Sequence, residues 1–162
     1  MGMIKLDTLA LLKFDKTNQV HKDYLKELIN DESITSRFCG LLPMLMSSSK
    51  DIFERGYFVM DEDEFIGYID IGAYNHQERS VYLRGAIVKQ ARGMGYGKKM
   101  LSEVTDHMLE NYDNVDYVKL KSATDNTSAI NTIESCGFVE IFDGLYYMKR
   151  TYENVSHANY KY

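Results

Sequence analysis

The sequence predicts an α+β fold of about six or seven strands and about four helices. Three observations lead there. A strand-like N-terminal run is followed by an amphipathic helix. Short β-rich runs then succeed one another in mid-chain with no helix between them, as antiparallel hairpins do. The second half alternates strand, helix, strand and helix before a β-rich end, and such crossovers require parallel neighbours. With 162 residues and 44% hydrophobic content, the chain can bury one ordinary core. One domain over residues 1–150 is expected, followed by a polar, tyrosine-rich tail at 151–162.

Residues 4–14 (IKLDTLALLKF) read as the first strand. Asn18 is a candidate helix cap, and Val20, Tyr24, Leu25, Leu28 and Ile29 recur behind it on one helical face. Between Asp31 and Lys50 the pattern loosens around the only proline, Pro43, and the serines at 47–49; a short second helix and a loop are expected. Residues 57–60 and 65–71 flank the acidic turn at 61–64 and read as a hairpin. A polar connection at 75–80 leads to a strand at 81–88. Met100, Leu101, Val104, Met108 and Leu109 then line a helix ending near Asn111. Residues 117–121 form a further strand. Ala129, Ile130 and Ile133 mark the last helix, and Gly137 and Phe138 open a β-rich segment that runs through Arg150.

The charge balance excludes one large class of function. Lys and Arg number 19 against 24 Asp and Glu, for a net charge of -5, the wrong sign for a phosphate-backbone binder, so no nucleic-acid partner is expected. Cys39 and Cys136 stand far apart and the four histidines are scattered, so neither a disulfide framework nor a metal site is expected. No stretch approaches the roughly 20 apolar residues that span a bilayer, and the N-terminus lacks an export pattern. The expectation is a cytoplasmic protein with no membrane partner.

The stretch at 91–101 (ARGMGYGKKML) concentrates Gly93, Gly95 and Gly97 with Arg92, Lys98 and Lys99. It follows a predicted strand and opens a predicted helix, where unpaired N–H groups and the helix dipole attract an anion. Glycines there admit positive φ and let phosphate oxygens approach the backbone. Two phosphate motifs fail. The triphosphate loop needs glycine five residues before Gly97, where Arg92 stands, and a hydroxyl after Lys98, where Lys99 stands. The dinucleotide fingerprint needs G-x-G-x-x-G, whereas this chain has G-x-G-x-G.

Arg92, Gly95 and Gly97 satisfy a third pattern, [QR]-x-x-G-x-[GA]. At this point the sequence resembles the GCN5-related N-acetyltransferase (GNAT) superfamily, whose corresponding loop cradles the pyrophosphate of acetyl-CoA. A second match follows in order at 126–138 (NTSAINTIESCGF), similar to the family's N-x-x-A…G-F segment. The resemblance covers residues 4–150. It implies the GNAT fold, an α/β/α layering with helices on both faces of a mixed central sheet that is splayed between its fourth and fifth strands, and acetyl-CoA as co-substrate.

The resemblance further implies site residues. Arg92, Gly93, Met94, Gly95, Tyr96, Gly97 and Lys98 would hold the pyrophosphate. The backbone of Ile87 and Val88 would pair with the pantetheine arm, with an N–H near Ile87 polarising the thioester carbonyl. Asn126 would offer its amide to the same arm, or cap the following helix, or both. Proton removal from the amine calls for a base. Related N-terminal acetyltransferases often carry Glu where this chain has Tyr82, which leaves Asp70 on the neighbouring strand as the candidate base and Tyr82 to orient water or substrate. Period-2 alternation groups Asp70 with Ile66 and Tyr68, and a solvated face is the alternative reading for it. The family's usual tyrosine acid is replaced by Ile133, and the serine of its ribosomal-protein branch by Ala129.

Three readings follow: an N-acetyltransferase acting on a primary amine of a small molecule or protein N-terminus in a ternary complex; an acyl-CoA-binding regulatory or structural module without catalysis; and, far behind, a nucleotide-binding protein. The acidic balance and the 61–64 turn favour a cationic acceptor such as a polyamine. Residues 29–37 (INDESITSR) resemble the branch that acetylates protein N-termini and some small amines. The tail at 151–162 is the candidate element for a homodimer.

Overall fold

The structure, a computed structural model, describes residues 2–38, 40–72, 74–122 and 126–149. Cys39, the turn before Asn126 and the tail considered for a homodimer lie outside them. The first expected strand is in fact two, β1 (Met3–Lys5) and β2 (Ala10–Leu12), paired antiparallel. The chain reverses because Leu6 N–H donates to Leu9 O at 2.9 Å, while the Thr8 and Leu9 amides are held by the Glu103 carboxylate at 2.8 and 2.9 Å. That long-range clamp breaks what local pattern reads as one strand.

Helix α1 (Gln19–Ile29) begins where expected, with Asn18 Oδ1 accepting from the Val20 and His21 amides. The loose segment holds two short helices rather than one, α2 (Glu32–Thr35), capped by Asp31, and α3 (Leu41–Leu45). β3 (Arg55–Asp61) and β4 (Glu64–Ile71) form the expected hairpin. β5 (Ser80–Ile87) pairs antiparallel with β4, and α4 (Tyr96–Asn111) follows it. β6 (Tyr117–Lys121), α5 (Thr127–Ser135), β7 (Val139–Phe142) and β8 (Leu145–Lys149) complete the chain.

The strands form one eight-stranded sheet in the order β1-β2-β3-β4-β5-β6-β8-β7, antiparallel throughout except for the parallel β5–β6 pair. The expectation of six or seven strands and four helices is exceeded by the split at the N-terminus and by the extra short helix. One face of the sheet is covered by α1 to α3. There Phe58, fully buried, meets Phe14, His21, Tyr24 and Phe65 edge-on at 5.5 to 5.8 Å, an aromatic cluster worth more than its area alone. The other face is covered by α4 and α5, where Val104, Met108 and Leu109 of α4 are completely buried, as their 3.6-residue recurrence requires. Among the described residues no helix is long and apolar enough to cross a membrane, and no group of His, Cys, Asp and Glu is placed to hold a metal.

Candidate active site

The parallel pair β5–β6 is joined at only three positions, Ser80↔Tyr117, Val81↔Val118 and Tyr82↔Lys119. Beyond them the strands part, although β5 runs on to Ile87 beside β4. Gly85 is therefore exposed on an interior strand. Gly72 N–H donates to Tyr82 O at 2.6 Å and Val88 N–H to Ile66 O at 2.9 Å, so the even-numbered residues of β5 turn their main chain toward β4. By the period-2 alternation, Leu83, Gly85 and Ile87 turn theirs toward the gap. The gap widens into a cleft of about 790 Å³, with Met100 and Leu101 of α4 and Ile133 of α5 among its apolar walls.

At the C-terminal end of β5 stands the glycine loop. Gly93 and Gly95 have φ of +78° and +83°, and a Cβ at either would meet no atom within 4 Å. Gly95 is the N-cap of α4, with no side chain bonded to the helix end and no acidic residue in the first turn. The first intrahelical bond runs from Lys99 N–H to Gly95 O at 3.2 Å, so the N–H groups of residues 95–98 have no acceptor inside the helix. Open backbone, unpaired donors and the positive end of a 16-residue dipole converge there.

Two side chains anchor the loop. Arg92 Nε donates to Ile87 O at 2.9 Å, and its Nη2 reaches Asp31 at 2.8 Å and Ser33 at 3.1 Å, tying the loop to α2. The Ser33 hydroxyl, with Arg92 also contributing, holds the Asp31 carboxyl below its usual range. Tyr96 donates to Asp61 at 2.6 Å, tying α4 to the β3–β4 hairpin, and that hydrogen bond leads in pushing the phenol pKa up to about 12. The side chains of Arg92 and Tyr96 thus fix the loop, and its backbone is what faces outward. Met94 is exposed on the loop, and Lys98 lies in the first turn of the helix, its carbonyl accepting from Cys136 Sγ at 3.6 Å.

The expected partners on the strands divide. Ile87 lines the cleft. Val88 donates its N–H to Ile66 O and its carbonyl accepts from Ala91 N–H at 3.0 Å, so its amide faces β4, whereas the main chain of Gly85 faces the gap. Asn126 lines the cleft and caps α5 at once, its Oδ1 accepting from Ala129 N–H at 3.3 Å. Ala129 and Ile133 line the same wall.

Asp70 is not on a solvated face, being 3% exposed. Its Oδ2 accepts from Tyr68 Oη at 2.8 Å and from Arg84 Nη2 and Nε at 2.8 and 3.2 Å. Burial first, and the neighbouring Asp70 second, push the Tyr68 phenol far above its usual range, so it keeps the proton it donates to Asp70. Arg84 occupies the position opposite Asp70 in the β4–β5 register, and its guanidinium lies 4.9 Å over the Phe38 ring. Arg84 lines the cleft and Asp70 stands behind it. Tyr82 sits where β5 and β6 are still paired, outside the lining, with Lys119 and Lys121 Nζ at 5.8 and 5.7 Å from its ring.

Arg37, Phe38, Arg84, Gly85 and Thr132 line the cleft without having been singled out in the sequence. Only Gly85, a glycine inside a strand pattern, carried a local signal of close backbone approach. Arg84 shares period-2 parity with Tyr82, but its pairing with Asp70 depends on an inter-strand register that local pattern does not set.

A family model described as the acetyltransferase (GNAT) family matches residues 18–138. No curated protein matches the chain in sequence. Among solved structures, a spermidine N-acetyltransferase from Vibrio cholerae in complex with CoA and spermine superposes with a TM-score of 0.67 at 18% identity, over 88% of this chain and 96% of that one. An acetyltransferase of the GNAT family from Bacillus anthracis gives 0.66 at 15% identity, over 91% and 98%. A dodecameric spermidine N-acetyltransferase from Vibrio cholerae in an intermediate state gives 0.52 at 22% identity, and there the match takes in 59% of this chain and 64% of the other. At these identities the likenesses establish the fold.

Proposed function

The chain belongs to the acetyltransferase (GNAT) family, and from that premise we propose that it transfers the acetyl group of acetyl-CoA to a primary amine of a small molecule or protein N-terminus, by direct attack in a ternary complex. The observation that carries this reading is the opening of β5 from β6 directly before an uncapped, glycine-led helix N-terminus. The residues fit the co-substrate. Open space at Gly93 and Gly95 is what a diphosphate needs beside the backbone, and the N–H groups of residues 95–98 are the donors that would hold it. The gap-facing backbone of Gly85 and Ile87 would pair with the pantetheine amides as an added strand pairs with an edge. Asn126, its Oδ1 used by the α5 cap, keeps its amide nitrogen to donate.

Acetyl-CoA supplies an acyl carbon activated by a thiol leaving group; the new bond is N–C and the bond lost is C–S. The chain's part is to place and polarise. A gap-facing N–H near Ile87, that of Gly85 two residues deeper included, would donate to the thioester carbonyl, where negative charge grows during attack. Apolar walls from Met100, Leu101 and Ile133 limit water near the reacting atoms. Asp70 serves as base through water or not at all, because Arg84 separates it from the cleft. Tyr82, at the closed end of the gap, would orient such water. Ala129 and Ile133 hold no proton, so the departing thiolate takes its proton from solvent.

A second reading, an acyl-CoA-binding module without turnover, is favoured by the absence of Asp, Glu and His from the described lining residues. Thiol release from acetyl-CoA across an amine panel, with wild type, Asp70→Asn and Tyr82→Phe, separates the two. Release with some amine supports the enzyme. Tight acetyl-CoA binding with no release from any amine supports the module.

A further inference from the structure

We propose that the acceptor of this site is a primary amine that also carries a carboxylate, and that Arg37, beside Arg84, is the residue that reads it. The proposal rests on the acetyl-transfer reading and names the substrate class of the same cleft. It starts from a charge distribution opposite to that of the whole molecule. The chain carries -5 overall, yet the described residues lining the cleft include Arg37, Arg84, Arg92 and Lys121 and not one Asp or Glu. Asp31 neutralises Arg92 and Asp70 neutralises Arg84, both from behind the lining. The cationic excess therefore belongs to Arg37 and Lys121. The acidic turn at 61–64, which suggested a cationic acceptor, does not line the cleft, and its Asp61 accepts from Tyr96.

Arg84 is not part of the phosphate cradle. The glycine loop follows the end of β5, whereas Arg84 lies three residues upstream of Ile87, roughly 10 Å deeper along the strand at about 3.3 Å per residue. A thioester arm entering from the loop therefore brings its acyl end toward Arg84, and what lies beyond belongs to the acceptor. Arg84 is held rigidly there by Asp70 and by the Phe38 ring at 4.9 Å, with 39% of its side chain still exposed. Arg37 immediately precedes Phe38, and both amides donate to Ile34 O, at 3.0 and 3.1 Å. Arg37 therefore lines the cleft from the position just before the ring that Arg84 covers. Arg37 is exposed and makes no ion pair among the described residues. A pre-positioned guanidinium with an open neighbour of the same charge suits a carboxylate, which binds the planar fork through two oxygens, and repels an ammonium or polyamine tail.

The test compares amines matched in length. Butylamine, 1,4-diaminobutane and ω-amino acids of two to six carbons are assayed by thiol release, and two peptide N-termini, one with Glu and one with Lys at the second position, ask whether the carboxylate is read on a free amino acid or on a peptide. We expect at least one carboxylate-bearing amine to show a KM tenfold or more below that of its neutral match, with the diamine poorest. Arg37→Glu should reverse the order, raising that KM tenfold or more and lowering that of the diamine, while kcat moves little; Arg37→Lys should restore most of the preference. Binding is read separately, as the thermal shift each amine produces with coenzyme A present. Arg37-dependent binding of the carboxylate without release would sink the catalytic reading and leave this one standing. Release or binding that favours the diamine, or that is indifferent to Arg37→Glu, overturns the proposal and leaves acetyl transfer intact.

Discussion

Substituting Gly95 tests the phosphate loop most directly. At φ +83° an L-residue is strained by about 1–2 kcal/mol, and in a domain of this size each kcal/mol moves Tm by about 2–4 °C. Gly95→Ala should therefore lower the Tm of the free protein by about 2–8 °C. The second effect is on the ligand. Acetyl-CoA at one hundred times its Kd stabilises the folded state by about 2.7 kcal/mol, a rise of about 5–11 °C. If the new methyl weakens binding tenfold, the same concentration leaves about 1.4 kcal/mol, roughly half the shift. Gly97→Ala separates the two effects. Gly97 has no positive φ, and its Cβ would lie 3.8 Å from Thr132 Cγ2 and 4.0 Å from Ile87 Cγ1, ordinary contact distances. That variant should keep its own Tm and still lose ligand shift, because both neighbours line the cleft. Differential scanning fluorimetry with and without acetyl-CoA, with ATP as control, reads all of this. Full wild-type ligand shifts in both variants would refute the loop as the diphosphate site.

Other substitutions separate structural from binding roles. Asn126→Ala removes the α5 cap and should cost about 1 kcal/mol of stability; Asn126→Asp should restore the cap but not acetyl-CoA affinity, measured by calorimetric titration. Gly56→Ala would set a Cβ 2.6 Å from the hydroxyl of buried Tyr68, and the forced shift should cost about 1–3 kcal/mol in a denaturant melt. His21 is buried and accepts the Asp15 amide at Nδ1 at 2.9 Å, and burial lowers its pKa below the usual 6.5. The folded state thus favours the neutral ring: its contribution is complete above about 6.5 and is lost as pH falls through the lower folded value. Melting temperatures from pH 8 to 5 should fall on the acid side, and the fall should be shallower in His21→Asn.

Elements governed by local chemistry were legible in the sequence. Asn18 and Asn126 cap their helices because a side-chain oxygen two or three residues ahead of an N–H needs nothing from the rest of the fold. The hairpin at 55–71 and the period of α4 were equally local. What escaped depends on contacts between distant residues. The Glu103 carboxylate turns the chain at Thr8 from 95 positions away. The β4–β5 register sets the candidate base Asp70 opposite Arg84, a pairing that local pattern does not contain. Which amides near Ile87 and Val88 face the gap is a matter of strand parity, and parity is fixed by the partner strand.

The early parting of β5 from β6 has one more consequence, for solvent exchange. Within a single strand, the amide hydrogens of Arg84, Ala86 and Val88 are directed to β4, while those of Gly85 and Ile87 point into the cleft. Deuterium should enter the second pair fast and the first set slowly, an every-other-residue pattern in the middle of an otherwise protected sheet. A bound thioester arm that completes the ladder should erase the alternation.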